Sequence, residues 1–307
     1  MPSHSSTHSS RTCRERPVDT AAGAGMLSWH TVATGLDYPE SLRWHDGALW
    51  LSDFYQHRVV TVGPGGAEAI LEVPGQPSGL GWMPDGSLLV VEMHPRRVLR
   101  LSAGRRVAIH AELEPWCAGL ANDMLVAPDG SAYVGHLGFD FFGGAPFAPA
   151  EILLVDAAGS VSVAAKDLAV PNGCLLADDG ATLIVAETFR SCLTSFRRAP
   201  DGTLSERRSV RLSGVSPDGI CGGGDGEVWV ADPPKCRVVR VVDGRVGGWV
   251  ATPSQPFSCV LGGEDPRLLY VGVADGHDPT STPGGTGRIL ALPVDEARSE
   301  AARRRAA

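Results

Sequence analysis

LGWMPDGSLLVVE, from Leu80 to Glu92, is a pair of short apolar stretches joined by Asp-Gly, and its reading decides the architecture of the chain. Apolar residues flanking a tight Asp-Gly turn are the strongest short-range signal for a β-hairpin, since such turns need residues that accept positive φ. The unit recurs. It reads LRWHDGALWLSD from Leu42, MLVAPDGSAYVGH from Met124, LLADDGATLIVAE from Leu175, ICGGGDGEVWVAD from Ile220 and VLGGEDPRLLYVGV from Val260. Each hairpin is followed by a third apolar strand, as in HRVVTV from His57, RRVLRL from Arg96, EILLVD from Glu151, CLTSFR from Cys192, CRVVRV from Cys236 and GRILAL from Gly287. A weaker fourth strand fills each remaining interval.

Six such units over residues 27–294 give about 45 residues each, the length of a propeller blade. Four-stranded sheets repeated radially leave only short, protected edges. The predicted fold is therefore all-β, a six-bladed β-propeller with four-stranded blades. The stretch Leu27 to Leu36 is expected to supply the strand that closes the last blade. Residues 1–26 read as a disordered tail, and residues 295–307, rich in Arg and Ala, as a flexible C-terminal tail.

Composition narrows the function. Asp and Glu number 35 against 27 Lys and Arg, a formal net charge of -8, so no diffuse basic footprint for nucleic acid or anionic lipid is present. No apolar run approaches the roughly 18 residues of a membrane span, and the first 26 residues lack the apolar centre of a signal peptide. A cytoplasmic monomer without nucleic-acid or membrane partners is expected. The seven cysteines include no C-x-x-C pair and read as reduced, mostly buried thiols. No G-x-S-x-G elbow, P-loop, H-E-x-x-H or dinucleotide fingerprint occurs.

Lys and Asn each occur only twice, and the positions of the two Asn are informative. Ahead of each innermost strand lies a short turn: Pro39-Glu40-Ser41, Pro77-Ser78-Gly79, Ala121-Asn122-Asp123, Pro171-Asn172-Gly173, Pro217-Asp218-Gly219 and Pro256-Phe257-Ser258. In a propeller the middle residues of these triplets ring the central channel. The ring is then Glu40, Ser78, Asn122, Asn172, Asp218 and Phe257, which takes in both asparagines of a 307-residue chain. Asn and Asp also serve as plain turn formers. Ala121-Asn122-Asp123, however, lacks Gly and Pro, and Glu40 is no turn former. Oxygen ligands of mixed charge, from Glu40, Asn122, Asn172 and Asp218, suit one hard divalent cation. Ca²⁺ is the first choice, with Mg²⁺, Mn²⁺ or Zn²⁺ as alternatives.

Four motifs in this order, Pro39-Glu40, Ala121-Asn122-Asp123-Met124, Pro171-Asn172-Gly173 and Pro217-Asp218-Gly219, resemble the senescence-marker-protein, gluconolactonase and luciferin-regenerating-enzyme family of six-bladed propellers. The resemblance covers roughly Leu36 to Val294. It implies that Glu40, Asn172 and Asp218 hold the cation, that Asn122 joins them or holds substrate, and that the chemistry is lactone hydrolysis. Related propellers hydrolyse organophosphates from the same constellation. Sugar-lactonase members carry an Arg where this chain has Leu120, which turns the expectation from sugar acid lactones toward a less polar lactone or ester.

A cation at this ring would polarise a carbonyl, with Asp218 as the candidate base for the attacking water and metal activation of that water as the rival account. Loops after the second strand of each blade lie on the same face. His94 and His136, together with Phe139 and Phe142 of the insert HLGFDFFGGAPFAP and with Thr188, are the expected substrate-binding residues. Strand-end acids Asp53, Glu92, Glu187 and Asp232 recur at one repeat position. They are expected to bond backbone N–H groups of neighbouring blades. Two other functional readings stay open: a non-catalytic propeller that keeps the ion for structure and binds a partner, and a bond-forming relative of the strictosidine-synthase type.

Overall fold

In the computed structural model, residues 27–305 are described apart from 64, 265, 266, 279 and 281. The Asp-Gly turns form as the sequence dictates. Trp44 pairs with Leu49 and His45 with Ala48 around Asp46 and Gly47, which take φ of 49° and 76°. Positive φ at both central residues matches the twist of the flanking strands, and at the second position only glycine adopts it without strain.

The chain begins with β1 (His30–Leu36) and then runs blade by blade. The first blade is β2 (Pro39–His45), β3 (Ala48–Asp53), β4 (Arg58–Gly63) and β5 (Gly66–Glu72). The second is β6 (Pro77–Trp82), β7 (Leu88–Glu92), β8 (Arg97–Leu101) and β9 (Val107–Glu112). The third is β10 (Ala121–Val126), β11 (Ala132–His136), β12 (Ala150–Val155) and β13 (Val161–Leu168). The fourth is β14 (Pro171–Ala177), β15 (Thr182–Glu187), β16 (Cys192–Arg198) and β17 (Leu204–Arg211). The fifth is β18 (Ile220–Gly224), β19 (Glu227–Asp232), β20 (Arg237–Val242) and β21 (Arg245–Ala251). The sixth is β22 (Gln255–Gly262), β23 (Leu268–Ala274) and β24 (Gly287–Pro293), completed by β1.

All six sheets are antiparallel and four-stranded, and β1 pairs with β24 through His30 opposite Ala291 and Thr31 opposite Leu290. The core lies between blades. One apolar cluster fills each junction of neighbouring sheets; Leu42, Leu49 and Leu51 of the first blade, for example, meet Tyr270, Ile289 and Ala291 of the sixth. Burial of such faces at about 25 cal/mol per Å² is the driving term, and it closes the ring. Among the described residues no helix is long and apolar enough to cross a membrane.

The C-terminal segment departs from expectation. Instead of a flexible tail, Val294–Arg305 forms helix α1, docked on the fifth blade. Ala297 and Ala301, one turn apart, are fully buried. Arg298 forks onto Glu227 at 2.7 Å, and the Arg304 guanidinium lies 4.3 Å from the Trp249 ring centre. Acidic Asp295 and Glu296 in the first turn and Arg303 to Arg305 in the last suit the helix dipole. The expected tail at residues 1–26 lies outside the described residues.

The strand-end acids do bond backbone N–H groups, with a different partner from the one expected. Asp53 accepts from Asp37 at 2.9 Å, Glu92 from Gly75 at 2.9 Å, Glu187 from Ala169 at 2.8 Å and Asp232 from Ser216 at 3.0 Å. Each donor lies in the segment that leads into the same blade's innermost strand, not in a neighbouring blade. These bonds fix the approach of each channel-lining turn, and arginines Arg58, Arg97, Arg190 and Arg237 neutralise the acids.

Candidate functional site

The innermost strands do not start smoothly. In five blades the register slips at the ring position: between Glu40 and Arg43, Pro77 and Leu80, Ala121 and Met124, Pro171 and Cys174, and Pro256 and Ser258. Such irregularities re-aim a side chain. In the fifth blade Asp218 precedes β18 and is fixed by backbone bonds: its N–H donates to Ala231 at 3.0 Å, and the N–H of Gly219 reaches the Phe257 carbonyl of the next blade at 2.9 Å. Val170, two residues before Asn172, has φ of 55°. A β-branched residue in the left-handed region is strained, so the surrounding contacts hold this turn in place.

Glu40 and Asp218 share one desolvated mouth. Burial raises the Glu40 carboxyl well above its ordinary range, and the charges of Asp218 and Asp123 push it further. Asp218 is raised to about 8, by burial first and by Asp123 second, while a hydrogen bond from the Asn172 side chain works in the opposite direction. Tyr38 belongs to the same environment. Burial and then the charges of Glu40 and Asp218 hold its phenol well above the usual range, and its ring lies 4.4 Å from that of Phe257.

These residues fit a hard cation on chemical grounds. Asp218 Oδ1 is buried and has no hydrogen-bond partner, which is costly for a carboxylate unless a cation or proton meets it. Glu40, Asn172 and Asn122 offer oxygen donors of the same class from the innermost strands of three other blades. Among the described residues no group of three or more His, Cys, Asp or Glu gathers in metal-binding fashion. An ion here would therefore rely on two carboxylates with amide oxygens.

Asn122 accepts a hydrogen bond from Ser78 Oγ at 3.3 Å, which links two ring members directly. Thr188, expected to contact substrate, has its hydroxyl engaged within the site: it donates to the Pro217 carbonyl at 2.8 Å, and Asn172 Nδ2 lies 3.5 Å from it. His136 must be corrected. It is fully buried, takes the N–H of Gly138 on Nδ1 at 3.1 Å and faces Glu151 through Nε2 at 3.1 Å. It ends β11 opposite Ala121, where Asp53, Glu92 and Glu187 end their own strands opposite Pro39, Pro77 and Pro171. It is the third blade's counterpart of those anchoring acids. His94 is exposed in the turn between β7 and β8, its N–H bonded to the Gly75 carbonyl at 2.8 Å. Phe139 is buried, whereas Phe142 is exposed and touches Phe141 with ring centres 5.2 Å apart.

Asp123 was not singled out by the sequence reading. It takes hydrogen bonds from Ser41 Oγ at 2.9 Å, Arg43 Nη2 at 2.8 Å and its own neighbour Met124 at 2.8 Å, directly behind the ring. Arg43 also reaches the carbonyls of Leu80 and Met124, tying three blades together. The available signal was a cation three residues after Glu40 and an acid beside Asn122, both on innermost strands.

Comparison with known proteins identifies the family and the fold. Residues 38–275 match the SMP-30/Gluconolactonase/LRE-like region. Regucalcin of Oryctolagus cuniculus is 36% identical over 106 residues, a stretch that spans 30% of this chain and 35% of that relative. Among solved structures, a calcium-binding protein, regucalcin, from Agrobacterium tumefaciens superposes with a TM-score of 0.73 at 20% identity, covering 87% of this chain and 93% of the other. A gluconolactonase from Xanthomonas campestris gives 0.68 at 21% identity, covering 85% and 88%. At such identities the structural likeness speaks for the fold, while the match over most of the sequence carries the assignment: the chain belongs to the SMP-30/gluconolactonase/LRE-like family.

Proposed function

We propose that this protein is a divalent-metal-dependent hydrolase acting on a lactone or related ester, with Glu40, Asn172, Asp218 and Asn122 holding the ion. The observation that carries this reading is the buried, unpartnered Oδ1 of Asp218 beside a second carboxylate in the same mouth. A bound cation supplies Lewis acidity toward the substrate carbonyl, a contribution of several kcal/mol in typical metal hydrolases. Asp218 is the group placed to take the proton of an attacking water. Its carboxylate has an uncommitted oxygen, and the Asn172 amide donates a hydrogen bond to the group. The Thr188–Pro217 bond holds the turn that carries it. Tyr38, beside the two acids, packs with Phe54 and Phe257 in one buried apolar cluster.

Hydrolysis of a panel of lactones with and without chelator tests this. The expected result is turnover that disappears on metal removal, returns with Ca²⁺, Mg²⁺ or Mn²⁺, and is absent from Asp218→Ala. Unchanged hydrolysis in metal-free protein or in that variant would eliminate the reading. A large Ca²⁺-dependent rise in Tm with no hydrolysis of any lactone or ester would replace it with a structural ion in a binding module.

A further inference from the structure

Five phenylalanines in the segments that follow β11 and β15 form one contiguous aromatic group. Phe139 lies beneath, with ring centres 6.0 Å from Phe141, 5.7 Å from Phe147 and 6.1 Å from Phe189. Phe189 also meets Phe141 at 6.2 Å and Phe147 at 5.9 Å. Four of the five face water: Phe141 is 38% exposed, Phe142 55%, Phe147 49% and Phe189 51%. Contiguous exposed rings of this kind mark a binding surface rather than a random surface residue.

The group is continuous with the candidate catalytic ring. Phe189 follows Thr188, whose hydroxyl touches both Asn172 and the residue before Asp218. Leu120, two residues before Asn122, packs against two buried clusters, that of Tyr38, Phe54, Met93 and Phe257 and that of Leu137, Phe139 and Val170. An unbroken apolar path therefore leads from the carboxylates to the exposed rings. The segments that carry these rings are fixed by backbone bonds. The N–H of Leu137 reaches Leu120 at 2.9 Å, that of Ala145 reaches Asp140 at 2.9 Å, and that of Phe189 reaches Ala169 at 3.2 Å.

The geometry points to a preformed subsite in which Leu120, Phe139, Phe141, Phe147 and Phe189 receive an alkyl or aromatic substituent of the substrate while its carbonyl lies at the Glu40–Asp218 mouth. The position of the carbonyl rests on the hydrolase reading; the subsite rests on the rings. Its consequence is selection by chain length: a lactone with a long apolar substituent is preferred over the bare ring, because each buried methylene adds favourable transfer energy.

Two measurements separate this proposal from the hydrolase reading. Calorimetric titration with 2-hexylcyclopentanone and cyclopentanone, ketones that are not hydrolysed, is expected to show at least about tenfold tighter binding of the hexyl compound. In the Phe141→Ala/Phe189→Ala double variant that ratio should fall to about threefold or less. The two side chains are partly exposed, and circular dichroism verifies that the variant is folded. In parallel, the kcat/KM ratio for γ-decalactone over γ-butyrolactone should follow the same pattern. A chain-length gain in ketone binding without turnover of either lactone would keep the subsite and remove the hydrolase reading. Turnover without chain-length preference would do the reverse. Equal ketone affinities, or a protein that instead pellets with neutral phosphatidylcholine vesicles through these rings, would overturn the subsite.

Discussion

The Thr188 hydroxyl donates to the Pro217 carbonyl at 2.8 Å, joining the end of β15 to the turn that presents Asp218 in the next blade. The same oxygen lies 3.5 Å from Asn172 Nδ2. A single hydroxyl thus spaces two ring members that are remote in sequence. Thr188→Val keeps the shape and removes the bond, so stability should fall by about 1 kcal/mol. The kcat/KM for the best lactone should fall roughly tenfold through misplacement of Asp218. Thermal melts and steady-state kinetics check both; unaltered kinetics would show that the turn needs no such tie.

The titration of Asp218 makes a prediction with a definite sign. Its folded pKa of about 8 lies above the ordinary carboxylate value, so the folded state binds this proton more tightly than the unfolded chain. The contribution of Asp218 to the stability of the metal-free protein is then fully present below about pH 4 and is lost as pH rises toward 8. Between pH 5 and 8.5 in chelator, the Tm of the parent should fall roughly 5 °C more than that of Asp218→Asn. Saturating Ca²⁺ should remove the difference. Parallel pH profiles for the two proteins in chelator would contradict the burial described for this group.

Arg43 and Asp123 form an ion pair at 2.8 Å behind the ring, with side chains 19% and 8% exposed. Arg43→Ala strands a buried carboxylate next to two others and should cost about 3 kcal/mol. Arg43→Ala combined with Asp123→Ala should cost less than the sum of the single changes, since no unpaired charge is left. A double-mutant cycle by urea denaturation reads the coupling, and strict additivity would deny it.

Helix α1 sits so close to β21 that a methyl group built on Gly248 would lie 1.7 Å from the carbonyl oxygen of Ala301. Gly248 also has φ of 130°, a conformation that disfavours any side chain. Gly248→Ala is expected to cost about 3 kcal/mol or more and to detach the helix. Hydrogen exchange should then accelerate across 294–305, and protection equal to the parent would refute the close packing.

The blades were legible because Asp-Gly hairpins carry their geometry in two residues, and because a repeat read six times corrects its own local errors. The candidate ring positions stand out in the sequence for a related reason: both asparagines of the chain occupy the same place in the repeat. Thr188 was recognised as part of the face, but its target was not, since a bond to a neighbouring blade's carbonyl leaves no mark in sequence. His136 was misread because a histidine standing in the place of an anchoring acid breaks the repeat pattern without announcing its burial. Asp123 and Arg43 escaped attention because their significance arises only when innermost strands meet. Helix α1 was missed because only Val294 and two small residues, Ala297 and Ala301, mark its buried side; its charged remainder reads as tail.

Pairing of β1 with β24 puts the first and last strands of the toroid side by side in one sheet. The circle is therefore fastened by a non-covalent seam, while each of the other five sheets is built from consecutive strands. Pulling on either end should part that seam first, and shortening the N-terminal strand should weaken the whole circle rather than one blade. Joining the ends by a linker and opening the chain at an Asp-Gly turn elsewhere would move the seam, and with it the place where the molecule first gives way.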